Sequence, residues 1–273
     1  MPQPLERPVH LPDFRSPPLN EVVIGVQFST PKNYHQIYAG KVWDLFRDQY
    51  PLVQETAALP PAFETFGLPG HGWSGPQFRI GSAATHDRFW FVRQDGAELI
   101  QFQQDRLLHN WRKSSDPSNE YPRFERMILK FEEELKKFEE FTKSLGNTEL
   151  EISQAEITYI NHITATASLA RAEDAFSLLN LENFQPEDFS LNLREVIYDA
   201  NNQPCGRLVC ELSSGLLPTG EKVYLLNLTV RGAPASSKID QALEFIKRGR
   251  EVIVQKFTAM TSSHAHTTWG RTK

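Results

Sequence analysis

The stretch YPRFERMILKFEEELKKFEEFTKSLG, Tyr121 to Gly146, constrains the fold more than any other part of the chain. Phe124, Met127 or Ile128, Phe131, Leu135, Phe138 and Phe141 recur at steps of three and four, which sets them along one stripe of a helix. Pro122 suits the first helical turn and Gly146 the C-terminal cap, so the pattern predicts a helix over Arg123–Leu145. The opposite face is rich in Glu and Lys, and the run KFEEELKKFEE reads as its solvated back. A one-striped helix needs an apolar surface to lie on, and a sheet supplies one.

Alternating segments supply that sheet. In LNEVVIGVQFS (Leu19 to Ser29), Val22, Ile24, Val26 and Phe28 face one way and Glu21, Val23, Gly25 and Gln27 the other. NYHQIYAGKVWDLFRDQYP reads as a helix stopped by Pro51. A Pro/Gly-rich connection from Leu59 to Pro76 follows, with FETFG as a short strand inside it. QFRIGS and DRFWFVRQDGAELIQFQQDRLLHNW read as antiparallel strands, with Asp95-Gly96 as a hairpin signal. After the long helix the cycle repeats. LEISQAEITYINHI is a strand, RAEDAFSLLNLENF has helical stretches, and FSLNLREVIYD, GRLVCELSSG and KVYLLNLTVRG are strands. A second long helix covers Ile239–Met260. The expected fold class is α+β, a curved antiparallel sheet or sheets packed on long helices. Residues 1–18 form an extended arm, and 19–149 and 150–273 are two similar β-α-β-α halves or parts of one continuous domain.

Composition excludes several function classes. A net charge of −5 over 273 residues argues against a general nucleic-acid coat, which would be basic. The opening MPQPLERPVHLPDF has no apolar core of a signal peptide, and no apolar run is long enough to span a bilayer; a reduced, cytoplasmic protein with no membrane role is the expectation. Cys205 and Cys210 are too few for a zinc site and read as free thiols, Cys210 buried in a strand. GHGW (70–73) has no helix after it to cradle a phosphate, and LPTGEK (217–222) reads as a hairpin turn.

The candidate site residues are polar groups on strands. In LIQFQQDRLLHNWRK, Gln101, Gln103, Asp105, His109 and Trp111 share one parity, and Asn110 falls on the other. Polar groups on both sides of one strand point to an internally bonded network or to a site. Glu156 and Thr158 share one face of QAEITYINHI, and Tyr159 and Asn161 the other. Glu156, Asp105 and His109 are the acid/base candidates if the protein is a hydrolase or nuclease, which is the lesser reading. Gln101, Gln103, Asn110, Trp111, Tyr159 and Asn161 are binding candidates, joined near the end of the chain by His266, Trp269 and Arg271. Trp269 is expected to dock on the core, with Arg271 pairing with a carboxylate. Lys247, Arg248, Arg250 and Arg271 could contact nucleic acid, but a protein partner or self-association is favoured. No metal or cofactor is expected.

PPLNEVVIGVQF, LIQFQQDRLLHNWRK, YPRFERM, QAEITYINHI and the closing HTTWGR together resemble a sporadically distributed prokaryotic protein family, one defined by a conserved-domain model and carrying no assigned activity. The resemblance spans nearly the whole chain. It implies a bacterial or archaeal protein of the kind found in mobile islands and defence systems, and it brings no catalytic residues. The reading is a non-enzymatic binding or interaction protein of a multi-component system, with a small-ligand carrier holding a cavity between sheet and helix as a further alternative.

Overall fold

The computed structural model describes residues 6–66, 87–114, 119–184 and 186–273. GHGW and QFRIGS lie outside the described residues. Nine strands form one antiparallel sheet, not closed into a barrel: β1 (Leu19–Phe28), β2 (Leu52–Thr56), β3 (Arg88–Val92), β4 (Glu98–Gln103), β5 (Arg106–Arg112), β6 (Ile152–Thr164), β7 (Ser190–Tyr198), β8 (Pro204–Leu216) and β9 (Lys222–Gly232). Their order is β2-β3-β4-β5-β1-β6-β9-β8-β7. Each half therefore builds outward from its own first strand. β1 takes the last strand of its meander, β5, as neighbour, β6 likewise takes β9, and the halves meet where β1 pairs antiparallel with β6.

The two long helices, α2 (Phe124–Ser144) and α4 (Ile239–Met260), lie on the same face of this sheet. Ile24 of β1 stands opposite His109 of β5 and Ile157 of β6, so all three share the helix-bearing face. The stripe of α2 is buried as its spacing demands, with Phe138 packed on Phe28 and Phe102 at ring separations of 5.2 and 5.5 Å. α4 sits close because of Gly249: a Cβ there would stand 2.8 Å from Ile157 and 2.9 Å from Val230, inside van der Waals contact. Of the smaller helices, α1 (Ala39–Asp44) and α3 (Ala172–Ala175) are shorter than their segments suggest, and α5 (Ser263–Thr268) follows α4.

Two expectations need correction, and one strand was not expected. LIQFQQDRLLHNWRK is two strands, because the chain turns back at Gln104-Asp105 and pairs Gln103 with Arg106. The turn resets the parity: Gln101 and Asn110 end on the helix-free face, while His109 and Trp111 face the helices. Neither turn residue takes a positive φ, so the Gly or Asn that marks many tight hairpins is absent, whereas Gly96 does turn with φ +70°. FETFG is no strand over its described residues. β2, conversely, was not anticipated; LVQET is an exposed edge strand, and nothing in its burial favours alternation.

Residues 57–66 instead cross the helix-free face as a strap, and buried glutamines hold it. Gln103 accepts from the Leu59 N–H at 2.8 Å and donates to the Leu59 carbonyl at 3.0 Å, so its side-chain amide pairs as a strand backbone would. Gln27 accepts from the Ala62 N–H at 3.1 Å, and Arg106 donates to Gln27 at 2.7 Å and to the Pro60 carbonyl at 3.0 Å. Further along, Arg207 donates to Glu64 and to the Thr65 carbonyl, each at 2.7 Å. These bonds satisfy backbone groups that no strand partner meets.

Candidate functional site

The acid/base candidates do not come together. Glu156 stands opposite Gly25 and His109 opposite the adjacent Ile24, so their side chains leave opposite faces of the sheet. Glu156 lies 3.7 Å from Arg231. Asp105 sits in the β4–β5 turn, where it accepts from Gln103 at 2.9 Å. His109, 1% exposed, has its Nδ1 3.0 and 3.1 Å from the two carboxylate oxygens of Glu134, which also accepts from the Tyr50 hydroxyl at 2.8 Å. Burial first, and then the Glu134 charge, push the Tyr50 phenol far above its ordinary range. Tyr50 and Glu134 escaped the sequence reading because both lie far along the chain from His109 and only the packing of α2 joins them.

Gln101 and Asn110 form a closed network: Arg88 donates to Gln101 at 2.8 Å, Gln101 to Asn110 at 2.9 Å, and Asn110 to Glu21 at 2.5 Å. Neither Gln101 nor Gln103 reaches Glu156, because β5 and β1 intervene. Arg250 is no part of a nucleic-acid surface: it is 2% exposed and donates to Glu125 at 2.6 Å. Lys247 pairs with Glu244, and Arg248 donates to the Tyr198 carbonyl. Both thiols are free, and burial pushes Cys210 up to about 11. Among the described residues, no three His, Cys, Asp or Glu side chains stand together as a metal cage, and no helix is long and apolar enough to cross a membrane.

What does come together is a cleft where the two long helices approach each other over β6. Tyr159 and Asn161 of β6 line it, with Leu19 of β1, Tyr121 and Arg123 at the entry to α2, and Val254 and Phe257 of α4. The N-terminal arm roofs it with Arg7, Pro12, Asp13, Phe14 and Pro17. With the arm in place the room inside it is small, about 60 Å³, so a drug-sized ligand would enter only as the arm moves aside.

Local sequence explains the shape. Proline disfavours helix in the residue before it, so Tyr121 stays outside α2. Arg123 then takes φ +70°, a strained conformation for a residue with a Cβ, costing about 1–3 kcal/mol. Its guanidinium donates to Asp13 at 3.1 Å. Trp111 backs the wall: it packs on Tyr121 with ring centroids 5.1 Å apart and planes tilted by 52°, and donates from its indole to Asn119 at 3.0 Å.

The end of the chain pins the roof. Arg15 donates to the Gly270 carbonyl, Ser16 to the Trp269 carbonyl and Thr272 to the Asp13 carbonyl, at 3.2, 3.1 and 2.9 Å. Trp269 is buried between Phe14 and Phe257, so the expected docking on the core is what the structure has. His266 shares a hydrogen bond with Thr261 at 2.8 Å and packs on Phe14; burial first, then Arg271, lower its pKa. Arg271, expected to pair with a carboxylate, meets no Asp or Glu side chain among the described residues; it lies 3.2 Å from His266 Nδ1 and donates to the Lys273 O at 2.5 Å.

Of the cleft, the sequence singled out only Tyr159 and Asn161. Arg7, Asp13, Tyr121 and Arg123 were missed because they sit beside prolines in segments without periodicity. Aromatic and arginine residues flanking Pro122 were the available signal. Compared with known proteins, the chain matches no family model and no curated sequence.

Proposed function

We propose that this chain is a non-enzymatic binding protein of a prokaryotic multi-component system, and that the arm-roofed cleft is where it binds. One observation carries the reading. The shaped concavity is walled by apolar groups with a few fixed arginine, tyrosine and asparagine side chains, which is the chemistry of recognition. The groups that could exchange protons, Asp105, His109 and Glu156, are apart and bound to structural partners. The resemblance to the sporadic prokaryotic family supports the cytoplasmic setting and an association with defence systems.

A second reading places a protein partner on the helix-free face. There Val23, Thr158, Ile160, Val209, Leu225 and Thr229 are half-buried, and no described helix covers them. Native mass spectrometry of the chain purified from its producing cells separates the two, with Val254→Trp to fill the cleft. A small-molecule adduct on the wild type, absent from the variant, is the expected result. A protein that stays with both forms moves the site to the helix-free face. A turnover lost on changing His109 or Glu156 overturns the binding reading.

A further inference from the structure

The cleft is short of acceptors rather than donors. Tyr121 and Tyr159 hydroxyls lie 3.1 Å apart; one donates to the other, so the pair keeps one O–H to spare. Nε of Arg7 and Nε of Arg250, both buried at this junction, have no acceptor. Asn161, 2% exposed, donates one of its two amide N–H groups to the Leu226 carbonyl and keeps the other. Three guanidinium groups, Arg7, Arg123 and Arg250, face two carboxylates, Asp13 and Glu125, and Glu125 is committed to Arg250. Burial first, then the like charge of Arg250, lower the pKa of Arg7, and an added anion would relieve the second of these.

The structure already shows what kind of anion fits. One oxygen of Asp13 lies 3.6 Å from Arg7 and 3.1 Å from Arg123, so a carboxylate of the roof bridges both cations. Beside that bridge the walls are apolar: Phe14, Leu19, Val254 and Phe257. Such a site suits a ligand with one acid group and an apolar body.

We propose that the cleft binds an amphiphilic monocarboxylate, whose acid group takes the place of Asp13 between Arg7 and Arg123 while its apolar body lies against Phe14 and Phe257 under the arm. Asp13 is then an internal competitor that holds the empty cleft closed. The proposal rests on the binding reading above and adds the ligand's charge to it.

The test is isothermal titration calorimetry with 4-phenylbutyrate and its neutral amide, 4-phenylbutanamide. Wild type, Asp13→Asn, Arg123→Gln and Arg7→Gln are compared, each first shown to melt cooperatively. The acid should bind the wild type about tenfold more tightly than the amide, since charge-assisted bonds are the stronger ones. Asp13→Asn should tighten the acid by roughly threefold or more, and either arginine variant should weaken it by about tenfold. A merely structural trio would weaken together, so opposite signs for Asp13 and Arg123 are the signature. Equal binding of acid and amide overturns the anion assignment and leaves the cleft as a binding site. Weaker acid binding by Asp13→Asn overturns the competitor role. No binding of either compound to the wild type or to Asp13→Asn overturns both the assignment and the binding reading.

Discussion

Two clusters of buried polar side chains lie between the sheet and its helices, and they differ in what covers them. Tyr50, His109 and Glu134 are sealed beneath the middle of α2, each at most 4% exposed. Tyr121, Tyr159, Arg250 and Glu125 lie where α2 begins, beside a cleft roofed by the irregular arm. The ingredients are similar, since each cluster joins tyrosine, a carboxylate and a basic group. A helix with a continuous apolar stripe is a permanent cover. The arm has no long element of its own, is held by three backbone hydrogen bonds to the tail, the Arg123–Asp13 bond and the Phe14 contacts, and is the cover the proposed binding requires to lift. The first cluster therefore belongs to the fold, and the second is the one the proposed binding would use.

The largest expected effect breaks the sealed cluster. Glu134→Ala leaves the Tyr50 hydroxyl and His109 without their acceptor and should cost about 3–5 kcal/mol in urea unfolding, with little change in the affinity of the cleft for its probe. Trp269→Ala should cost about 3 kcal/mol, the scale for losing a buried aromatic. It should also speed amide exchange at Arg15 and Ser16, which bond to the tail, while β5 amides stay protected. If instead β5 exchanges faster and the arm does not, the arm is no separate cover. Tyr159→Phe removes one hydroxyl from the cleft pair and should cost about 1 kcal/mol in stability.

Acidity acts on the roof as well. The folded-state pKa of His266 lies below its ordinary value of 6.5, so the neutral ring is the form that favours folding. That contribution is complete above the unfolded value near 6.5 and declines as pH falls from there through the folded one. Melting temperature should fall between pH 7 and 5.5, and His266→Gln should flatten that slope. The smallest effect belongs to Glu156, whose single ion-pair partner lies 3.7 Å away at a half-exposed position. Glu156→Ala should cost under about 1 kcal/mol, less than a buried network member would.

Periodicity made the scaffold legible. The stripe of Phe124 to Phe141 and the span Ile239–Met260 carry their pattern locally, and both helices stand where it puts them. LIQFQQDRLLHNWRK misled because a two-residue turn without glycine leaves no local mark, so both faces of one imagined strand were really the same faces of two. The buried glutamines were readable as a network, but their partner, the strap 57–66, was not, since a side-chain amide pairing with irregular backbone has no sequence period. The cleft was hidden for a related reason. It draws Asp13, Arg123, Asn161 and Phe257 from four distant segments, and only the meeting of β1 with β6 brings them together.

The proposed binding lies under the arm and not at the sealed cluster or on the helix-free face. Hydrogen–deuterium exchange with and without saturating 4-phenylbutyrate tests it most directly. Slower exchange is expected at residues 13–16, at the start of α2 around Phe124 and at Asn161, with Tyr50, His109 and the strands β8 and β9 unchanged. Protection centred on Thr229 and Val209, or on His109 and Glu134, with none in the arm, would contradict it.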